Sequence, residues 1–168
     1  EGGLDSAVQM AKLLSKRQPD PVELMVVGSV PANLQISYLA CGVDIVWKGL
    51  VKREAIPAID RSAHLFFSSD INAACPNSVI EALACGVPVI GYDTGSLSEL
   101  VTADCGAVAR YGSDPWKLQK PDVHALADAA QQALTHHAQK RAAARARAEE
   151  NFNIERIADQ YLKVLFDI

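Results

Sequence analysis

Short apolar runs alternate with segments of helical spacing along most of this chain, and that alternation restricts the fold more than any single residue does. Glu23–Val27, closed by Gly28, is an apolar run with one acid, the pattern of a strand buried on both faces. Residues 43–47 (before Gly49), 64–68, 87–91 and 106–109 repeat it. Between them, 33–41, 54–62, 76–85 and 96–101 read as helices. Alternation of this kind implies a parallel sheet wrapped by helices on both faces, a doubly wound α/β domain.

The two ends depart from that rhythm. At the start, Leu4, Val8, Ala11, Leu13 and Leu14 fall near helical spacing until Gln18-Pro19-Asp20-Pro21 breaks the pattern. A doubly wound domain ordinarily opens with a strand whose following loop meets ligand phosphates. Here only Glu1-Gly2-Gly3 stands before the helix, so that first strand is expected to be missing. After Asp114 only helix is expected: 121–134 with Pro121 in its first turn, the alanine-rich 138–150, and 153–166. In the last, Ile154, Ile157, Ala158, Tyr161, Leu162, Leu165 and Phe166 keep the helical rhythm behind Asn153 as N-cap. These helices are expected to pack back over the sheet.

Length and composition fit one folded domain over residues 1–168, since 49% of the residues are hydrophobic and only 21% charged. A net charge of -4 argues against nucleic acid as a partner, because phosphate backbones need a basic surface. The longest apolar runs, 21–30 and 86–91, are too short to span a bilayer, and no basic stretch leads into an apolar one at the start. A cytoplasmic location is expected. Cys41, Cys75, Cys85 and Cys105 form no CxxC pair and have no histidine at ligand spacing. Each borders an apolar segment, so packing as free small hydrophobes is favoured over a disulfide or zinc site.

In an open parallel sheet, ligands bind beyond the carboxyl ends of the strands, here the loops after Val27, Trp47, Ser68, Ile90 and Ala109. Cys75-Pro76-Asn77-Ser78-Val79-Ile80-Glu81 turns from such a loop into a helix. Free N–H groups near Asn77, Ser78 and Val79, with the positive end of the helix dipole, suit an anion such as a diphosphate. Glu81 leans toward the helix start, and its neighbours Asn77, Ser78, Ala84 and Cys85 are small. Its carboxylate could accept hydrogen bonds from a vicinal diol such as ribose. It could equally serve only to complement the dipole, and spacing leaves both readings open.

Gly86 is placed to stop this helix, and Pro88 must lie near the start of the next strand or in a gap of its ladder. Ser96-Leu97-Ser98-Glu99 has the form of a capping box, which assigns Glu99 a structural role. Lys140, Arg141, Arg145 and Arg147 precede Glu149 and Glu150 and read as a solvated helix face. The adjacent His136 and His137 point apart on a helix, against a shared metal. His64 begins a strand and reads as a core or crevice histidine.

The run Pro76-Asn77-Ser78-Val79-Ile80-Glu81-Ala82-Leu83-Ala84-Cys85-Gly86-Val87-Pro88-Val89-Ile90, followed by Thr94-Gly95-Ser96-Leu97-Ser98-Glu99-Leu100-Val101, resembles the signature of group 1 (family 4) glycosyltransferases of the GT-B fold. Weaker similarity lies in Gly3-Leu4-Asp5, Val26-Val27-Gly28, residues 49–56 and 152–166. The resemblance implies a Rossmann-like, C-terminal donor-binding domain whose partner, a missing N-terminal domain, supplies the acceptor site. It implies that Glu81 holds the ribose hydroxyls and that Ser78, Val79 and Ile80 line the diphosphate. Ala73, Cys75, Pro76 and Asn77 complete that loop, while Leu50, Val51 and Lys52, with Gly28, hold the base.

The substrate would be a nucleotide diphosphate-sugar and the acceptor a glycan or lipid, with retention and with neither metal nor cofactor. Any peripheral membrane contact would come through the missing domain. Two positions depart from the family. Ala73 stands where a donor-sugar glutamate is common, and Gly2 where a lysine often grips the diphosphate, its usual arginine partner falling before residue 1. They motivate an alternative, a catalytically silent nucleotide-binding or assembly domain. A nucleotide-sugar 2-epimerase of the same fold is disfavoured, since no acid–base set for it is found here.

Overall fold

A computed structural model describes residues 2–166; Glu1, part of the opening stretch read above, lies outside them. Helix α1 (Gly2–Ser15) leads into strand β1 (Glu23–Val27), α2 (Ala32–Ser37), β2 (Asp44–Gly49), α3 (Ile56–Ser62), β3 (Phe66–Ser68) and α4 (Asn77–Ala84). Then follow β4 (Val89–Tyr92), α5 (Leu97–Leu100), β5 (Gly106–Ala109), α6 (Val123–Leu134), α7 (His137–Asn151) and α8 (Ile154–Phe166). Every strand pairing among these residues is parallel, as the alternation demands.

The sheet comes in two pieces. β3, β4 and β5 lie side by side in that order, while among the described residues β1 pairs only with β2. On one face α1 and α6 cover β4 and β5; on the other lie α3, α4 and α7. β4 shows why both faces fill. Strand periodicity sends Val89 to one side, against Val79, Leu83 and Leu100, and Ile90 with Tyr92 to the other, against Met10, Leu14 and Leu126. All four β4 residues are buried. Leu83 and Leu126 are fully buried and each contributes about 1.5 to 3 kcal/mol of apolar burial.

Gly106 shows how tightly β5 joins this half, because a Cβ there would overlap the Val89 carbonyl oxygen. Gly86 ends α4 as expected. With φ at +68°, its N–H donates to the Leu83 carbonyl (2.8 Å) and that of Val87 to the Ala82 carbonyl (2.9 Å), a complete Schellman ending. Pro88 sits just before β4, and its carbonyl accepts from Phe66 N–H at 3.0 Å.

Several expectations need correction. β1 is only half-buried, with Glu23 and Val27 exposed, because among the described residues no strand lies beside one of its edges. The helix expected over 33–41 ends at Ser37. Pro121 precedes the N-cap of α6; the cap is Asp122, whose carboxylate accepts from Ala125 N–H at 3.0 Å. The Ser96 hydroxyl makes no cap hydrogen bond and is buried without a partner, so 96–99 is not a capping box. Asn153 does cap α8, accepting from Glu155 N–H at 2.9 Å. Yet α8 buries none of its residues: Ile154, Tyr161, Leu165 and Phe166 stay exposed, and of its apolar stripe only Ile157 is half-buried.

The cations of α7 are not a solvated face. Arg141 donates to the Ala63 carbonyl (2.9 Å), Arg145 to that of Ala84, and Arg147 to that of Glu99 (2.7 Å), while Lys140 reaches the Ala103 carbonyl. The ends of α3, α4 and α5 are thus satisfied by one helix, positive charge meeting the negative pole of each. The cysteines are free, but Cys75 is exposed rather than packed, because its loop faces solvent. His64 is exposed at the amino end of β3, away from the carboxyl-end loops, its carbonyl 2.8 Å from His137 Nε2.

Candidate functional site at the carboxyl ends of the strands

The chain from Ser69 to Pro76 leaves β3 and turns into α4, and its path is set by a second loop beneath it. Asn72 adopts a left-handed conformation (φ 59°), its N–H donating to Thr94 Oγ1 at 3.3 Å and its side-chain amide to the Pro115 carbonyl at 3.3 Å. The Ala73 carbonyl accepts from Ser96 N–H at 3.0 Å. Gly95, with φ at +58°, is pressed so closely that a Cβ there would overlap the Ala73 backbone. Only glycine combines that conformation with that approach. The Thr94-Gly95-Ser96 turn therefore braces the loop that aims α4.

Pro76 is buried and starts α4 without a side-chain cap, so the first turn points unscreened backbone at the crevice. Asn77 and Ser78 are exposed there, Ile80 is half-buried, and Cys75 and Glu81 are exposed. Val79 corrects the expectation of a free N–H. Its N–H already donates to the Pro76 carbonyl at 3.0 Å, and its side chain is fully buried in the core. An anion at this helix start would meet the N–H groups of Asn77 and Ser78 and the Ser78 hydroxyl.

A cavity of about 930 Å³ opens beside them, its wall including Gly3, Val27, Ser69, Asp70, Ser78 and Glu81. Asp60 of α3 joins this wall. Burial holds its carboxyl above the usual carboxylate range, and the negative charge of Glu81 adds to the effect. Sequence reasoning missed Asp60, Ser69 and Asp70. The last two directly follow Ser68, a strand end where a ligand loop was expected; Asp60 carries no local signal, since tertiary packing alone brings α3 to α4.

Of the other expected residues, Gly28 and the 50–52 turn are brought together, Gly28 N–H donating to the Gly49 carbonyl at 2.9 Å. They stand over the carboxyl ends of β1 and β2, where Leu50 is 84% exposed. Among the described residues, the cavity wall stops at Val27 and does not reach this turn. Ala73 is half-buried in this loop and carries no charge, and Gly2 at the start of α1 has open space around it. Among the described residues no three His, Cys, Asp or Glu side chains converge as a metal site, and no helix is long and apolar enough to cross a membrane.

Solved structures share this architecture. The UDP complex of Anabaena HepE superposes with a TM-score of 0.74 at 18% identity, over 99% of this chain and 46% of that one. Sucrose-phosphate synthase from Thermosynechococcus elongatus gives 0.72 at 22% identity, over 96% of this chain and 42% of the other. Among curated proteins, a GDP-mannose-dependent alpha-(1-6)-phosphatidylinositol dimannoside mannosyltransferase of Mycobacterium tuberculosis is 30% identical over 87 residues. That match spans 51% of this chain and 23% of the mannosyltransferase. The doubly wound, Rossmann-like fold expected from the sequence is the one these relatives share. The profile of glycosyl transferases group 1 matches residues 1–151, from the first helix through the end of α7, and the chain therefore belongs to the group 1 glycosyltransferases.

Proposed function

We propose that this chain supplies the donor site of an enzyme that transfers a sugar from a nucleotide diphosphate-sugar, with retention, to a glycan or lipid acceptor bound by a further domain. The observation that carries this reading is the start of α4. The family motif sets Ser78 and Glu81 on the wall of one crevice, below a helix dipole that favours an anion. In this reading the Asn77 and Ser78 N–H groups and the Ser78 hydroxyl hold the diphosphate, Ile80 flanks it, and Glu81 accepts from the ribose hydroxyls. Leu50, Val51, Lys52 and Gly28 form the base site, exposed Leu50 offering an apolar face to a planar ring.

Two relatives support this donor class. HepE was solved with UDP, and the mycobacterial enzyme is GDP-mannose-dependent. Titration calorimetry of the intact protein with UDP, GDP and ADP tests the reading. Binding of one nucleotide in the micromolar range is expected, and heat from none of them overturns it.

A second reading rests on Ala73 and Gly2, which bring no charge to the place where a leaving diphosphate needs stabilising. It makes the chain a nucleotide-binding or assembly domain without transfer activity. Sugar transfer by the intact protein, followed with radiolabelled donors, decides against it.

A further inference from the structure

Between β5 and α6 the chain spends residues 110–122 on a loop with neither strand nor helix, longer than most connections in α/β domains. It is closed and internally tied. Asp122 N–H donates to the Tyr111 carbonyl at 2.7 Å, the Tyr111 hydroxyl to the Gln119 carbonyl at 2.7 Å, and the Ser113 hydroxyl to the Lys120 carbonyl at 2.8 Å. Across the tip, Gln119 N–H donates to the Asp114 carbonyl at 3.2 Å, and Asp114 N–H donates back to Gln119 Oε1 at 3.1 Å. Asp114 Oδ1 accepts from Trp116 N–H at 3.0 Å, and the Pro115 carbonyl accepts from both Leu118 N–H (3.2 Å) and the Asn72 amide (3.3 Å). This is an Ω-loop, its ends together and its interior bridged by its own side chains, a form that recurs at binding sites.

The bracing converges on a turn that carries Trp116, which is 79% exposed. Asn72 fixes where that turn stands. It belongs to the loop that leads into α4, so the tip is held on the carboxyl-end side of the sheet, where the donor crevice opens. Polar groups beside the ring remain unused. Gln119 commits its Oε1 to Asp114 and leaves its Nε2 protons without a partner among the described residues, as is the exposed Lys120 ammonium.

We propose that Trp116 is a carbohydrate platform: one pyranose ring of the acceptor stacks on its indole face, and the Gln119 amide and Lys120 ammonium donate to the hydroxyls of that ring. A pyranose presents weakly positive C–H groups on one face, which suit the negative face of an indole, and hydroxyls at its rim, which suit donors nearby. A ring already fixed by its loop loses little entropy on binding. Size and charge decide against the other occupants. A protein partner needs roughly 800 Å² per side with several anchors, whereas this tip offers Trp116 and Leu118. An anionic membrane needs a cluster of unpaired cations, but Arg110 is paired with Asp122 (3.2 Å) and Lys117 with Asp114 (3.6 Å), which leaves Lys120. That the bound glycan is the acceptor rests on the proposed donor role, and it narrows that acceptor to a glycan held in part by this chain. The binding itself does not depend on the donor.

Titration calorimetry of the intact protein with mannotriose, maltotriose, galactotriose and chitotriose, in the absence of nucleotide, tests the platform. At least one is expected to bind in the millimolar range, its affinity falling at least ~10-fold in Trp116→Ala and staying within ~3-fold in Trp116→Tyr. The unfolding midpoint should not move, since the ring is exposed. No heat from any trisaccharide, or equal affinity in Trp116→Ala, overturns the inference. So does binding to phosphatidylcholine–phosphatidylglycerol vesicles that Trp116→Ala abolishes while no trisaccharide binds, which assigns the tip to a membrane. Nucleotide titrations of the same samples separate the two readings: glycan binding without nucleotide binding keeps the platform and removes the donor role. Where transfer is measurable, Trp116→Ala is expected to raise the acceptor KM about tenfold, and a change confined to the donor KM contradicts the proposal.

Discussion

Glu23–Val27 and Val89–Tyr92 are both short apolar strands in parallel sheets, yet the first is half-buried and the second buried throughout. The difference lies in their neighbours rather than in their side chains. β4 has a strand on each side and helices on both faces; among the described residues β1 has one strand and the open cavity. An apolar run records the burial it is suited to, and the surroundings decide how much of it is realised. The α4 motif stands on the well-buried half and the Gly28 and 50–52 turns on the other, so a nucleotide spanning both would bridge the stable and the less supported piece.

The sharpest way to break that contrast is to truncate one leucine in each half. Leu83→Ala removes a fully buried side chain and is expected to cost about 2 to 5 kcal/mol in urea unfolding, whereas Leu24→Ala in half-buried β1 costs about 1 kcal/mol. Equal losses would show that the two pieces share one core. Gly95→Ala forces a Cβ into the Ala73 backbone at a left-handed position. It is expected to destabilise by about 1 to 3 kcal/mol and to weaken nucleotide binding, measured by denaturation and calorimetry together. Affinity unchanged despite the lost stability would separate the brace from the site.

Glu81→Gln keeps the shape of an exposed side chain and removes its charge. Nucleotide affinity is expected to fall about tenfold, or 1.4 kcal/mol, with the unfolding midpoint unmoved. Arg147→Ala deletes the clasp on the Glu99 and Leu100 carbonyls and should cost about 1 kcal/mol by the same urea assay. That loss belongs to the well-buried half and should leave hydrogen exchange in β1 unaltered.

The smallest effect concerns Asp122. The Ala125 N–H holds its carboxyl below the ordinary value, so the cap stabilises the protein above the unfolded-state pKa and loses that contribution as pH falls through the lower folded value. Asp122→Asn should therefore flatten the fall in Tm below about pH 4. A Tm profile matching the parent's would remove the cap from the acid response.

Much of this was legible in order along the chain. β1 and β5 lie within the expected limits, and the other strands within a few residues. Gly86 terminates α4 as its position suggested, and Ser78 and Glu81 meet at one crevice. These features depend on contacts a few residues apart, which sequence spacing encodes directly. The failures depend on distant partners. Ser96 and Glu99 have the letters of a capping box, but the Ser96 backbone was recruited by Ala73. The basic residues of α7 looked solvated because the carbonyls they hold lie 34 to 80 residues away.

The sequence by itself determined the doubly wound class, the position of the α4 motif at a strand end and the family, because periodicity, glycine placement and local motif order are properties of neighbouring residues. Only the tertiary structure decided that Asp60 stands beside Glu81, that Thr94-Gly95-Ser96 holds the loop before α4, and that the sheet comes in two pieces. Each of these depends on which surfaces come together once the backbone groups of distant segments have found their partners.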